Sequence, residues 1–375
     1  MNIAFAGWWT GWHVFPIKSI INYIKNNEEF SSKFENIVWF GEDDSLEQKI
    51  ANEIYEIEFV PMISGKLRRE RSPLAIAKNI IDIFKFSYGI WKAIWLIKKN
   101  KIDIIFCKWW YVALPVVIAG WMMRKKIFVH ESDTIAWLTN RLANKFATQS
   151  FEWFPESLTW ARHVWQILSE DILEWWNVEM EQCGNDLIPS SNISTHNKGP
   201  SLTNKTNILL IWWSQWATTI YQSILDIIKN NPEINDFFNF FVILWTANIN
   251  MKKEFDKYEN IKTYEFINQK EIGELYNICD IWITRGWATS LAEQKFFDMK
   301  LIIIPLPYTG WNHQYHNAKY YEEKFWDMLI PQWKNLSNNL LSELENLKWF
   351  KKEKKETIEK DINNNIKKML EEMFK

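Results

Sequence analysis

Met1-Asn2-Ile3-Ala4-Phe5-Ala6-Gly7-Trp8-Trp9-Thr10-Gly11-Trp12-His13-Val14-Phe15-Pro16 opens the chain, and apolar residues then recur at Ile17, Ile20, Ile21 and Ile24. The first run is short and apolar and stops at a glycine, which is how a buried strand reaches a turn. The second has the spacing of one helix face. Strand, turn and helix in that order begin a parallel βαβ unit. No basic segment precedes the apolar run, and the run is short, so it does not read as a secretory signal.

The pattern continues outward from this start. Strands are expected at 36–40, 54–60, 102–107, 126–130 and 149–154, with helical runs at 17–26, 73–99 and 111–123 between them. Pro189–Asn204 is rich in Ser, Asn and Thr and reads as a linker. Beyond it strands are expected at 207–211, 239–244, 262–267, 281–284 and 301–305, with helices after Trp216, near Asn268 and at Ala288. Strands of this length alternating with helices predict an α/β fold of two doubly wound parallel sheets. The predicted domains are residues 1–185 and 206–336, joined by a linker at 186–205. A helical tail, 337–375, is expected to pack back on the first domain. Ligands of such sheets bind beyond the carboxyl ends of the strands, so both domains can address one cleft.

Composition narrows the function. The 375 residues carry 44 Lys and Arg against 46 Asp and Glu, a net charge of −2. That balance speaks against a nucleic-acid-coating protein. Cys107, Cys183 and Cys279 are far apart, with no Cys-x-x-Cys pair, which excludes a disulfide framework and fits a reducing compartment. The six His are scattered and no Asp-x-Asp pair lies in a suitable loop, so no metal and no cofactor is expected.

One count is abnormal: 25 Trp and only 11 Gly. An average chain of this length would carry about 26 Gly, at roughly 7%. The Trp residues crowd into turns, as in Trp8-Trp9-Thr10-Gly11-Trp12, Lys108-Trp109-Trp110-Tyr111, Trp212-Trp213-Ser214-Gln215-Trp216 and Gly310-Trp311-Asn312-His313. Bulky aromatics are poor there, because they resist positive φ and block approach to the backbone. With Gly in their place the first segment becomes an ordinary phosphate-approaching loop, 108–111 a Gly-Gly-Tyr turn and 211–217 a strand-to-helix turn. We infer that many Trp letters are UGA codons from a lineage that reads UGA as glycine. Others are genuine, as at Trp91 and Trp95, four residues apart on an apolar helix face. A protein truly rich in Trp, with aromatic platforms for sugars, is the alternative.

Read this way, the chain resembles the MurG family, the UDP-N-acetylglucosamine:N-acetylmuramyl-(pentapeptide) pyrophosphoryl-undecaprenol N-acetylglucosaminyltransferases of GT-B fold. The resemblance runs from Met1 to about Gln332. It rests on separated motifs in one order: 7–16, 109–111, His130-Glu131-Ser132-Asp133, 137–141, 212–217, 285–293 and 305–318. It implies transfer of GlcNAc from UDP-GlcNAc to the MurNAc C4 hydroxyl of lipid I, giving lipid II with inversion. It also implies peripheral attachment to the inner leaflet of the cytoplasmic membrane.

Residue by residue, the resemblance implies two candidate bases, His13 and Glu131. His13 has a side chain that titrates near neutrality; it could instead only shape its loop. Glu131 could instead orient His13 or bind acceptor. Thr10, Gly11 and Trp12 (as Gly) would bring backbone N–H groups to a pyrophosphate, and Asp133, where the family often has Asn, would bind sugar. Ser214 and Gln215 would reach the UDP region. Ala288, Thr289, Ser290, Leu291 and Ala292 open a helix whose positive end can meet the diphosphate. Glu293 matches the family's ribose-binding acid, Ile267 the uracil contact, and Gln314 the reader of GlcNAc hydroxyls, supported by Asn317. The family's Gly-Asn-Pro-Val-Arg appears as Gly184-Asn185-Asp186-Leu187-Ile188, without the phosphate-binding Arg.

No run reaches the roughly 20 apolar residues of a membrane span. Lys66, Arg68, Arg69 and Arg71 precede the amphipathic run 74–97, which can sit on anionic lipid or be a core helix after a solvated basic loop. Two other readings stay open: a related enzyme with a different acceptor or a UDP-GlcNAc epimerase, and a UDP-sugar-binding membrane scaffold without turnover.

Overall fold

The structure, a computed structural model, describes residues 1–7, 11–65, 72–108, 113–173, 205–211, 217–265, 267–307, 310–333, 335–353 and 362–375. It divides into two compact units, Met1–Ser169 with Ile358–Lys375, and Glu170–Thr357.

In the first unit seven strands are β1 (Asn2–Ala6), β2 (Asn36–Gly41), β3 (Glu58–Pro61), β4 (Ile104–Lys108), β5 (Lys126–Glu131), β6 (Gln149–Glu152) and β7 (Arg162–His163). Their order is β3-β2-β1-β4-β5-β6-β7, and every pairing is parallel. Ile3, Ala4, Phe5 and Ala6 are all buried, as are Ile105, Phe106 and Cys107. A strand that is apolar on both faces needs cover on both sides, which the crossover helices supply. Ala93, Leu96 and Ile97 of the helix Pro73–Lys99 and Val116, Val117 and Ala119 of the helix Ala113–Met122 form that cover on one face.

The second unit repeats the plan with β8 (Thr206–Ile211), β9 (Phe238–Ile243), β10 (Ile261–Tyr264), β11 (Ile281–Thr284), β12 (Lys300–Ile303) and β13 (Met328–Leu329), in the order β10-β9-β8-β11-β12-β13. These pairings are also parallel. In each sheet the strand order reverses once, between β1 and β4 and between β8 and β11. At such a reversal in a parallel sheet, ligands bind beyond the carboxyl ends of the strands.

The structure corrects several expected boundaries. The strand expected at 54–60 is only β3, because the helix Leu46–Glu53 runs up to it and Glu56 turns the chain with φ 57°. β6 stops at Glu152, whose carboxylate accepts the Glu156 and Leu158 N–H groups and the Ser157 hydroxyl and so folds the chain back. β10 ends at Tyr264, which leaves Ile267 outside it, just before the capping box of Asn268 and Glu271. The first unit ends at Ser169 rather than at 185. The expected linker, except Lys205, lies outside the described residues, as do Gly184–Ile188.

The tail is divided rather than single. Leu336, Leu340 and Leu344 of the helix Leu336–Asn346 are buried in the second unit's core. Burial of this kind contributes about 1.5–3 kcal/mol per side chain. Only the last helix, Ile362–Phe374, belongs to the first unit. There the Phe374 ring lies 6.0 Å from Phe30 and 5.3 Å from Phe34, and Glu372 pairs with Arg162.

Backbone geometry sorts the Trp residues. Trp39 and Trp282 are fully buried in β2 and β11, where an indole fills the core. Trp137 and Trp287 have ordinary negative φ. Trp160, Trp311, Trp326 and Trp349 instead have φ of 64°, 60°, 59° and 67°, in the left-handed region. Trp326 closes the helix His313–Phe325, its N–H bonded to the Glu322 carbonyl, in the position glycine favours.

Left-handed backbone costs an L-residue roughly 1–2 kcal/mol. Trp160 and Trp326 are 91% and 82% exposed, so their indoles return little packing. Trp160→Gly and Trp326→Gly should each raise the unfolding free energy by about 1 kcal/mol. Urea denaturation measures this, and an unchanged or lowered midpoint would show that these sites tolerate Trp. If UGA is read as glycine, protein from the native source should be lighter by the Trp–Gly difference at each such codon, by intact-mass spectrometry.

Candidate active site

In the first unit the polar groups converge where β4 and β5 end. Lys108 closes β4 and pairs in register with His130 of β5. Both are fully buried. The Lys108 Nζ lies 3.2 Å from His130 Nδ1 and donates to Ser132 Oγ at 3.1 Å, which also accepts from Gln166 Nε2 at 3.2 Å. Burial and the neighbouring Lys108 hold His130 well below its ordinary pKa, so its ring is neutral.

Glu131 ends β5 with both carboxylate oxygens engaged. Oε1 accepts the N–H groups of Ser132 and Asp133 at 2.7 and 2.9 Å. Oε2 accepts Trp137 N–H at 3.2 Å and Asn140 Nδ2 at 3.0 Å. Four donors on one carboxylate fold residues 131–140 around it. Burial, then the charge of Asp133, pushes the Glu131 carboxyl up to about 8, while the donors pull the other way. Asp133 Oδ2 in turn accepts the Trp137 indole N–H at 2.9 Å.

His13 is in the first turn of the helix Gly11–Asn26, directly after the loop that leaves β1. The side chains of Gly11, Trp12 and His13 lie outside the described residues, as do Thr10 and Trp109–Tyr111. Ser19, farther along that helix, donates to the Leu168 carbonyl at 2.9 Å and ties the helix to the segment that carries Gln166.

In the second unit the corresponding place is the turn after β11. The helix Ala288–Phe296 starts there, its first residue preceded by Trp287, which provides no side-chain cap. The first N–H groups of a helix have no acceptor within it, so an uncapped start presents donors and a partial positive charge. Ala288, Thr289, Ser290, Leu291 and Ala292 are buried along this turn. Gly286 is required beneath it: a Cβ there would meet the Gln314 carbonyl oxygen at 2.2 Å. Asn317 Nδ2 donates to the Gly286 carbonyl at 2.9 Å and fixes the helix His313–Phe325 to the turn.

Two side chains at this turn hold unused polar atoms. Glu293 is buried, and its Oε2 has no hydrogen-bond partner among the described residues. Burial alone raises its pKa well above 4.5. Gln314 Oε1 accepts the Leu306 N–H at 2.9 Å, which fixes the amide's orientation. Its Nε2 is then a buried donor without a partner among the described residues. Buried unsatisfied groups cost about 1–3 kcal/mol each, and a ligand that satisfies both recovers that cost.

Sequence reasoning missed Lys108, Gln166, Arg285 and Gln294. Arg285 Nη1 bonds the Ile304 carbonyl at 3.0 Å and Gln332 Oε1 at 2.7 Å, bracing β12. Gln294 Nε2 holds Thr284 Oγ1 at 3.1 Å. Lys108 had a legible signal, a lone cation closing the apolar run Ile104-Ile105-Phe106-Cys107. Ile267 is buried between β10 and the helix Gln269–Ile278, and Ser214 and Gln215 lie outside the described residues.

Comparison with known proteins agrees with both units. Residues 3–152 match the glycosyltransferase family 28 N-terminal domain, and residues 210–373 its C-terminal domain. The chain is 28% identical to the UDP-N-acetylglucosamine--N-acetylmuramyl-(pentapeptide) pyrophosphoryl-undecaprenol N-acetylglucosamine transferase of Borrelia hermsii, over 98% of this chain and 92% of that protein. It is 25% identical to the protein of the same name from Caldicellulosiruptor saccharolyticus, over 92% and 89%. In fold it is similar to Acinetobacter baumannii MurG, with a TM-score of 0.68 at 16% identity over 98% and 94% of the two chains. The UDP-GlcNAc 2-epimerase of Neisseria meningitidis has a TM-score of 0.66 at 11% identity over the whole of both.

The Glu293 carboxyl has a raised pKa in the fold. Its contribution to stability is therefore complete below about 4.5 and is lost as pH rises through the raised value. Without ligand, Glu293→Gln should become progressively more stable than the parent as pH rises from 4.5 to neutrality. Urea titrations at several pH values test this; a difference that does not vary with pH would mean the carboxyl feels no such burial.

Proposed function

The chain belongs to glycosyltransferase family 28, in its MurG branch, and from that premise we propose that it transfers GlcNAc from UDP-GlcNAc to the C4 hydroxyl of the MurNAc unit of lipid I, producing lipid II. The observation that carries the donor half is the pair of unsatisfied groups beside an uncapped helix start. A nucleotide sugar has matching chemistry. Its diphosphate suits the N–H groups at Ala288, Thr289 and Ser290. Its ribose hydroxyls are donors for the free oxygen of Glu293, and a GlcNAc hydroxyl is an acceptor for Gln314 Nε2. Ile267, which is buried, would meet the uracil, and Ser214 and Gln215 would reach the UDP region.

The acceptor oxygen attacks the anomeric carbon as the bond to the UDP oxygen breaks, a single displacement that inverts an α donor. The hydroxyl proton goes to His13, and the leaving diphosphate's charge is met by the helix N-terminus. Glu131 suits a different role from proton acceptance, since its oxygens are already engaged by four donors that shape the 131–140 loop. Thr10, Gly11 and Trp12 supply backbone donors for the acceptor's pyrophosphate, and Asp133 a sugar contact.

The acceptor is a lipid, and the helix Pro73–Lys99 fits attachment to the inner leaflet of the cytoplasmic membrane. Ala93, Leu96 and Ile97 face the core, whereas Ile80, Phe84, Trp91 and Trp95 form one exposed apolar stripe on another side. Phe84 is 71% exposed and Trp91 63%. Lys78, Lys85, Lys98 and Lys99 are exposed along the same helix, suited to anionic headgroups. The basic residues 66–71 lie outside the described residues. No helix among the described residues is long and apolar enough to cross a membrane.

The test is GlcNAc transfer to a lipid I analogue. His13→Ala should lower kcat by about 10²- to 10⁴-fold with KM for UDP-GlcNAc little changed; undiminished turnover would remove His13 from the mechanism. Phe84→Glu with Trp91→Glu should abolish cosedimentation with anionic vesicles while sparing transfer to a water-soluble acceptor. Equal vesicle binding would assign that stripe elsewhere.

A further inference from the structure

His130 takes no part in the reaction as described, yet it is fully buried at the carboxyl end of β5. Its register partner on β4 is Lys108, also fully buried. The contact between the two side chains is direct, with Lys108 Nζ 3.2 Å from His130 Nδ1. A second bond, from Nζ to Ser132 Oγ at 3.1 Å, holds the ammonium in place, and Ser132 is itself held by Gln166. An ammonium only donates, so Nδ1 is the acceptor and carries no proton. The ring is neutral, because burial and the charge of Lys108 hold it well below its ordinary pKa. Its single proton therefore sits on Nε2. That nitrogen is buried and has no hydrogen-bond partner among the described residues.

On the acceptor-side reading above, we propose that Lys108 is a positioning residue that fixes the tautomer of His130, so that Nε2–H is held ready to donate to an oxygen of the lipid-linked acceptor. A buried donor left unpaired is costly, and a ligand oxygen completes it. The place suits such a ligand, since His130 ends a central strand of a parallel sheet and precedes the loop that Glu131 shapes. Without a donor fixed on Nδ1, a neutral imidazole shares its proton between both nitrogens. The wrong tautomer meets the acceptor oxygen with a lone pair instead of a proton.

The tautomer is read from the imidazole nitrogen-15 resonances of histidine-labelled protein, with the His130 signals assigned by His130→Gln. The spectra are taken below pH 7, because burial lowers the Lys108 ammonium to about 7 while Glu131 and Asp133 raise it. In the parent, Nδ1 should appear as the bare nitrogen and Nε2 as the protonated one. Lys108→Met, of similar length but without a donor, should give a mixture of tautomers, whereas Ser132→Ala should keep the parent form. A proton on Nδ1 in the parent, or an unchanged tautomer in Lys108→Met, would overturn the proposal.

In transfer to the lipid I analogue, Lys108→Met should lower kcat/KM for the acceptor about tenfold, the loss of one neutral hydrogen bond, with KM for UDP-GlcNAc within about twofold. His130→Gln puts an amide N–H near the place of Nε2 and has no tautomer to fix. Adding Lys108→Met to it should therefore cost little more, and fully additive losses in the pair would overturn the coupling. If the parent transfers no GlcNAc, the functional reading fails, and the spectra still decide whether Lys108 sets the tautomer. Should Lys108→Met not fold, the parent spectrum decides alone: a proton on Nε2 supports the assignment, and a mixture refutes it.

Discussion

A parallel sheet constrains everything that follows from it. Its strands all run one way, so every crossover helix returns outside the sheet and every functional loop leaves from the same edge. In both units the strand order reverses once, at β1 and β4 and at β8 and β11. Loops at that place diverge and cannot fill the space between them. His13 follows β1, Lys108 closes β4, and the helix Ala288–Phe296 follows β11. The chemistry-bearing residues stand where this constraint leaves room, not where local sequence is most polar.

Two buried glutamates show how the same residue serves opposite ends. Glu131 has four donors, so removing it would leave four polar groups unsatisfied, and its work is done within the protein. Glu293 is also buried, but one oxygen has nothing to bind among the described residues. Burial raises both carboxyls. For Glu131 the donors oppose the shift, whereas Glu293 has no such opposition among the described residues. Burial and pKa direction therefore do not separate a structural acid from a binding one; the hydrogen-bond inventory does.

Much of this was legible in sequence because the central strands are apolar on both faces. Residues 2–6, 73–99 and 281–284 are bounded as their patterns indicate, since fully buried strands and long periodic helices leave little ambiguity. Strand ends were less legible. Glu56 and Glu152 stop or bend the chain through a left-handed φ and a carboxylate clamp, and neither leaves a periodic trace. The tail misled for a similar reason: one Lys/Glu/Asn-rich composition covers a helix that fills the second core and another that seals the first. Glu293 and Gln314 are singled out by motif resemblance, whereas their atoms without partners among the described residues are visible only once Leu306 and the helix start are in place.

The Trp residues connect sequence to backbone. An indole in β2 or β11 is stabilised by the core, while an indole at φ near 60° with most of its surface in water has neither a favourable backbone nor packing to offset it. Trp326 sits at a helix end where the chain must turn left-handed, a requirement set by the helix and not by the side chain. The same requirement, close approach without a Cβ, is met at Gly286 by a glycine that is written as such. A chain that keeps glycine where the Gln314 carbonyl presses closest, and shows Trp at other glycine-like positions, is more simply explained by decoding than by design. On that reading the turn before the helix Ala288–Phe296 asks for no glycine at Trp287, which has an ordinary φ. The loops after β1 and β8, where several Trp letters stand together, are the places where the identity of the residue decides whether a phosphate can reach the backbone.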